Sequence, residues 1–527
     1  MPDSAVETAA AAHVPAWARV RMFAARHWLF GLALAAACVP RAAAVLGYRP
    51  VEWFNDSYSY VTAAVNRMPE TIRPSGYALM LAVFEPLHRF AVVTLVQHVL
   101  GLATGVLVYA VLRVRGLRAW LAVLAAVPVL FDAYEIQLEH LVMADSLFMF
   151  LITAAVALLC LRNQPGWIAA AAAGLLLGAS AIVRTDGRPL LVVAAVCLIV
   201  RRAGWRPVAA TVVAGLLPIA AYMGWFHSTR GPYALTEHDG AFLYSRAMAF
   251  ADCAQMNPPA TLRPLCDNRP PSQRLPSADY IWRPNPLRTH VHNVWSAEGS
   301  RLGSQFAFLA VRKQPLDYLY VSAKDLAHTF TWTRSTTFPD RATATQYQFA
   351  AKDVRVPGWA PTKNLTTYQP GSLTSHAVQP YASLLVRYQR YVYFRGSLLL
   401  LTLLVGAAFL VTGRRRGAPG LLPWCTALAL IVVPAATAGF TYRYVLAAVP
   451  CACMAAGFAG VSGRIRGGSG QRQGPGPAEA GQPVDSGQAR EPVDSGLAWQ
   501  PAADGPQVPA SPSDGHQQQR GLHRRPG

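Results

Sequence analysis

The chain has 527 residues, 53% of them hydrophobic and only 14% charged, with a mean hydropathy of +0.24. Soluble globular chains carry about 25% charged residues, so the composition excludes an ordinary soluble enzyme and points to a membrane protein. The formal net charge of +20 does not indicate nucleic acid, because the basic residues lie in short loops between apolar runs and in the tail, where membrane topology accounts for them.

Residues 1–27 are polar, with Arg19, Arg21 and Arg26 near their end, and are expected to be cytoplasmic. The apolar run from Trp28 to Leu46 follows. Ala42-Ala43-Ala44 resembles a signal cleavage site, but the run is long for a signal peptide and more apolar runs follow, so a retained span is expected. Further runs lie near 91–112, 119–133, 141–161, 167–183, 189–200, 208–226, 397–412, 420–440 and 444–461. Together they predict an all-α polytopic protein with about ten transmembrane helices. The run 189–200 is short for a span, which needs about 20 residues.

Arginines in alternate loops agree on one orientation: Arg113 to Arg118, Arg162, Arg201-Arg202 with Arg206, Arg414-Arg415-Arg416, and Arg464 with Arg466. The positive-inside rule then places both termini in the cytoplasm of a plasma-membrane protein. Residues 227–396 form one long outer segment, too long for a loop and expected to be a mixed extracytoplasmic domain. Within it, residues 300–330 read as helix, lying on the bilayer surface or packed inside the domain. Residues 464–527 have no apolar period, repeat Pro-Val-Asp-Ser-Gly, and read as a disordered cytoplasmic tail.

Of the eight cysteines, Cys253 and Cys266 alone share a polar region, and an outer location favours a disulfide between them. No Cys/His cluster has metal spacing.

The chemistry-bearing residues gather on the outer face. Trp53-Phe54-Asn55-Asp56-Ser57-Tyr58-Ser59-Tyr60 follows the first span, with Arg73-Pro74-Ser75-Gly76-Tyr77 just after. Asp56 among aromatic rings reads either as a general base or as part of an interfacial aromatic belt, and the octapeptide alone does not choose. The loop 132–145 holds Asp132, Glu135, Glu139, His140 and Asp145. Asp145 opens an apolar helix, where an anion is favoured and where a helix cap is the plainer reading. Glu139 and His140 have no such structural excuse near the bilayer edge. Arg73, Arg184 to Arg188 and Tyr442-Arg443-Tyr444 put cations on the outer side, against the charge rule, and suit an anionic headgroup. Snorkelling or a pair such as Asp186 with a neighbouring arginine is the structural alternative.

These motifs in this order resemble the GT-C superfamily of integral-membrane glycosyltransferases, in the branch of protein O-mannosyltransferases and the lipid A aminoarabinose transferase. The likeness rests on Asn55 to Tyr60, Arg73 to Tyr77, Glu139 to Leu147, Arg184 to Pro189 and Tyr442 to Pro450. It covers residues 28–226 as the core module, with loops 47–90 and 132–145 as the catalytic loops. Residues 397–463 match as C-terminal spans in layout only. The resemblance implies an inverting transfer from a polyprenyl-phosphate sugar to the hydroxyl of an envelope glycan, lipid or protein. In that reading Asp56 is the base, and Arg443, Arg184 and Arg73 hold the donor phosphate. Glu139, His140, Asp145, Tyr58 and Tyr442 shape the sugar and acceptor pocket. No metal site is assigned, and a divalent cation is not favoured because a single acid stands where some relatives carry two. Arg73 replaces the usual His or Lys. The competing function is a polytopic transporter of an anionic or lipid-linked substrate, which no inverted repeat supports.

Overall fold

The computed structural model describes residues 16–333, 347–412 and 419–467. The chain divides into two units, Met1–Gly470 and Gln471–Gly527, and every described residue belongs to the first. The first 15 residues, the Arg414-Arg415-Arg416 cluster and the tail from residue 468 lie outside the described residues. The last helix reaches Gly467, so residues 464–467, expected in the tail, are helical.

The N-terminal half forms helices α1 (Ala16–Gly47), α2 (Asn55–Asn66), α3 (Gly76–Phe84), α4 (Phe90–Val114), α5 (Ala119–Phe131), α6 (Ala133–His140), α7 (Asp145–Cys160), α8 (Trp167–Val183), α9 (Arg188–Val200) and α10 (Trp205–Arg230), of which α2 and α3 lie in the stretch 47–90 that was expected as a loop. The outer segment adds α11 (Asp239–Ala247), α12 (Ala297–Lys313), α13 (Pro315–Thr329), α14 (Thr362–Tyr368) and α15 (Tyr381–Tyr391), and the C-terminal part α16 (Gly396–Thr412), α17 (Leu421–Thr437), α18 (Tyr442–Leu446) and α19 (Val449–Gly467). Strand structure is slight. β1 (Tyr48–Arg49) pairs antiparallel with β2 (His376–Ala377), Tyr48 opposite Ala377 and Arg49 opposite His376. The outer segment, expected to be mixed, is therefore mostly short helices among the described residues.

Among the described residues four segments are long and apolar enough to cross a membrane: Arg21–Gly47, Phe90–Val114, Trp205–Arg230 and Tyr442–Val461. The bent pairs α5–α6 (49°) and α15–α16 (52°) raise this to six if each is one span. This is fewer than the ten expected, because α7, α8, α9 and α17 are only 16, 17, 13 and 17 residues long against the roughly 20 that a span needs.

Two local causes shorten them. The run expected from residue 141 starts as helix only at Asp145, because Leu141 is drawn into a parallel bridge with Glu52. The Val142 amide donates to the Glu52 carbonyl at 3.4 Å. The run 119–133 ends at Phe131 because Asp132 accepts from the amides of Tyr134 (2.8 Å) and Glu135 (3.4 Å) and so caps α6. What read as the loop 132–145 is thus a short helix followed by a corner.

Helices α8 and α10 pack backbone to backbone. A Cβ at Gly174 would lie 2.2 Å from the Thr211 carbonyl oxygen, and one at Gly178 2.1 Å from that of Gly215, so only glycine permits this approach. In the outer segment Ser296 caps α12 by accepting from the Gly299 amide at 3.0 Å, and Pro315 starts α13 afresh. Leu302, Phe306 and Ala310, at helical spacing, bury one face of α12 in a core shared with Tyr244 and Ala247 of α11. That settles α12 as a packed helix. Cys253 and Cys266 are joined by a disulfide at the edge of the same core.

Candidate active site

Asp56 lies in the first turn of α2, where free backbone amides favour a carboxylate. The residue is 5% exposed. Both carboxylate oxygens are engaged: Arg73 Nη2 donates to Oδ1 at 2.8 Å, and Arg443 Nη2 to Oδ2 at 3.1 Å. Burial alone would raise the carboxyl's pKa. The guanidinium groups of Arg73 and Arg443, with Arg184 beyond them, outweigh that and hold it below its ordinary value.

Arg443 is itself caged by rings. Its guanidinium carbon lies 5.3 Å from the ring centres of both Phe54 and Tyr444. Its Nε and Nη1 are buried and have no hydrogen-bond partner. Buried donors without partners are costly, and here two sit on one guanidinium. Arg184 forms the second half of the cluster. It donates to Asp145 Oδ1 at 2.8 Å and to Asp186 Oδ2 at 2.9 Å, and it faces the rings of Tyr444 (5.0 Å) and Phe148 (5.5 Å). The second oxygen of Asp145 is buried without a partner. Asp145 therefore does not cap its helix; its side chain pairs with Arg184.

Asp56, Arg73, Arg443, Arg184 and Asp145 are thus brought together. Glu139 and His140 are not. Glu139 is fully buried in a two-pronged pair with Arg41 of α1, Nε to Oε2 at 2.8 Å and Nη2 to Oε1 at 2.6 Å. His98 Nδ1 sits 2.8 Å from the same Oε2, and His98 Nε2 lies 3.2 Å from His140 Nδ1. His140 Nε2 meets the Tyr48 carbonyl at 2.8 Å. Neither residue shares a hydrogen-bond partner with Asp56 or the three arginines. They knit α1, α4 and α6 together, and among the described residues no hydrogen bond ties Glu139 or His140 to Asp56. The physical reason is Arg41: a guanidinium within an apolar helix needs a buried acid, and Glu139 supplies it.

Tyr58 packs its ring against Trp53 (5.8 Å) and edge-on to Trp359 (5.2 Å). Tyr442 donates to the Phe394 carbonyl at 3.2 Å and packs near Tyr134. Their places at Asp56 and the arginines are taken by Tyr60 and Tyr444. Tyr60 is one helical turn from Asp56, the spacing that puts two side chains on one face. Its hydroxyl is pushed up to about 12 by burial first and by the Asp56 charge second. Tyr347 is a further neighbour. It is buried, stacked on Phe54 with ring centres 5.2 Å apart, and its hydroxyl is pushed up by that burial. The Tyr60 spacing was legible in the sequence; Tyr347 lies in a stretch without pattern and gave no signal.

Residues 89–227 match the sequence model of the family described as Dolichyl-phosphate-mannose-protein mannosyltransferase. The matched segment falls mostly within residues 28–226, the part of the chain on which the resemblance to protein O-mannosyltransferases rests. The matched stretch contains Glu139, Asp145 and Arg184 and ends before Arg443; Asp56 and Arg73 precede it. Two solved structures resemble the chain. One is the S. cerevisiae protein O-mannosyltransferase Pmt1-Pmt2 complex bound to the sugar donor, 18% identical over 41% of this chain and 36% of that chain, TM-score 0.32. The other is ArnT from Cupriavidus metallidurans bound to undecaprenyl phosphate, 14% identical over 84% of this chain and 79% of that chain, TM-score 0.33. The chain spans about a third of the length of the Pmt1-Pmt2 chain that it matches. Among curated proteins nothing matches.

Proposed function

We propose that the chain is an inverting glycosyltransferase that moves a sugar from a polyprenyl-phosphate donor to an extracytoplasmic hydroxyl. The observation that carries this is the buried Asp56 carboxylate clasped by Arg73 and Arg443, with two Arg443 N–H groups left unpartnered beside it. A base and an anion receptor one hydrogen bond apart are what a single displacement at an anomeric carbon requires.

Asp56 takes the proton of the acceptor hydroxyl as that oxygen attacks. The anomeric carbon–phosphate oxygen bond breaks, and the electron pair leaves with the lipid phosphate. Arg443 meets the growing phosphate charge through Nε and Nη1, while Arg184 adds a second positive field held in place by Asp145 and Asp186. Arg73 orients the base. The family described for residues 89–227 uses a lipid-phosphate mannose, which supports the donor class. The ten-segment layout, both termini in the cytoplasm and Asp56 on the outer side belong to the same proposal.

The test is incubation of the purified chain with radiolabelled polyprenyl-phosphate sugars, with and without EDTA. Wild type consumes one donor. Asp56→Asn retains donor binding and loses transfer by about 10²–10⁴-fold, the range for a general base. Undiminished transfer by Asp56→Asn sinks the assignment.

A further inference from the structure

The outer segment carries a cleft that the chemistry at Asp56 does not use. Its volume is about 590 Å³, within the range of small-ligand sites. Its walls include Pro264, Asn268, Arg269, Pro284, Thr289 and His290. The lining offers amide, hydroxyl and imidazole groups and the paired Asp267 carboxylate and Arg269 guanidinium, set between three proline rings. The disulfide half-cystine Cys266 forms part of the rim and fixes it.

Two residues before Pro284 stands Trp282, 50% exposed and tilted against Trp295 with ring centres 5.3 Å apart. The guanidinium of Arg73 lies 6.0 Å from the Trp282 ring centre, and the same guanidinium donates to Asp56. The Glu237 amide donates to the Thr71 carbonyl at 2.8 Å and ties this part of the outer segment to the Arg73 loop. A half-exposed indole, backed by a second indole and one residue away from the base, presents a flat apolar face with polar groups around it. A sugar ring has the complementary shape, with C–H bonds on its faces and hydroxyls at its rim.

We propose that this cleft and Trp282 form the acceptor subsite, and that the acceptor is a glycan. The claim rests on the glycosyl-transfer reading above. A glycan seated along the cleft with its terminal ring on Trp282 brings a hydroxyl toward Asp56 past Arg73. A peptide acceptor would leave the paired indoles without a planar partner, and a lipid acceptor would find no apolar channel there.

The test is calorimetric titration of the full chain in detergent. The probes are linear gluco-, manno- and arabino-oligosaccharides, with a Ser/Thr-rich peptide as the counter-probe. One oligosaccharide series is expected to saturate. Trp282→Ala weakens it by about tenfold or more through loss of the ring contact, and Trp282→Phe restores most of the affinity. His290→Ala weakens it severalfold. The titration is run without donor, so that it reads the subsite alone and a failure of the transfer chemistry is distinguishable from a failure of the subsite. Saturation by the peptide alone, no oligosaccharide binding at millimolar concentration, or a Trp282→Ala isotherm equal to wild type overturns the proposal. So does a Trp282→Ala enzyme whose acceptor KM is unchanged.

Discussion

Asp56 is held in the state a base must be in and is also restrained in it. With arginines on both oxygens its carboxyl is held below its ordinary value, so on the proposed reading the acid limb of transfer lies below that of an ordinary carboxylate. Replacing Arg73 with Gln removes one cause of that lowering while keeping a donor near Oδ1. The pKa of Asp56 then rises, and the acid limb of the pH–rate profile moves toward neutral pH. A limb that stays in place means Asp56 is not the titrating base. Glu52, four residues earlier, shows the opposite behaviour. It is buried, and burial pushes its carboxyl up to about 8 despite hydrogen bonds from the Ala350 amide and the Gln137 side chain. The folded chain therefore keeps a proton that the unfolded chain releases near its ordinary value. Stability falls as pH rises between the two and levels off above about 8. Each unit of such a shift is worth about 1.4 kcal/mol. Glu52→Gln, which keeps the shape without the charge, is expected to raise the melting temperature at pH values near or above that range and to change little in acid. A melting temperature that responds equally at all pH values contradicts the protonated form.

At the level of elements, the reading of the sequence worked where one element carries its own signal. It worked less well where two distant elements complete each other. Apolar runs marked most of the helices, and Asp56, Arg73, Arg184 and Arg443 converge although they are spread over nearly four hundred positions. Glu139 was misplaced because its partner is 98 residues away and sits inside the first apolar run. Arg41 was the overlooked signal, since a lone cation in such a run must be paired. The helix α6 was missed because Asp132 reads as a loop acid until its cap geometry is seen. The Arg41–Glu139–His98 network predicts a structural phenotype. Glu139→Gln leaves Arg41 buried without a counter-charge, which costs about 3–5 kcal/mol when a buried pair is broken. The protein that still folds should show wild-type donor KM, read in a transfer assay on the monodisperse fraction. A raised donor KM with unchanged thermal stability would instead return Glu139 to the pocket.

For the whole molecule, function depends on which end of the bundle faces outward, and the packing supplies one half of that argument. Arg201, at the end of α9, donates to the carbonyls of Leu159, Arg162 and Asn163 at the end of α7, and Arg115, after α4, pairs with the Asn163 side chain. Three basic loops are thereby gathered at one end. The loop ends that meet at Asp56 belong to the other: the start of α2, the loop before α3, the start of α7 and the turn after α8. On the positive-inside rule the first end is expected in the cytoplasm, and the proposed lipid-phosphate donor of the outer leaflet would need Asp56 at the second. Cysteines placed at exposed positions of each end decide the matter. In intact cells a membrane-impermeant maleimide should label Asn293→Cys, in the outer segment, and should label Arg118→Cys only after permeabilisation. The reverse pattern would put the carboxylate in the cytosol, across the bilayer from the sugar donor, and the displacement at Asp56 could not occur.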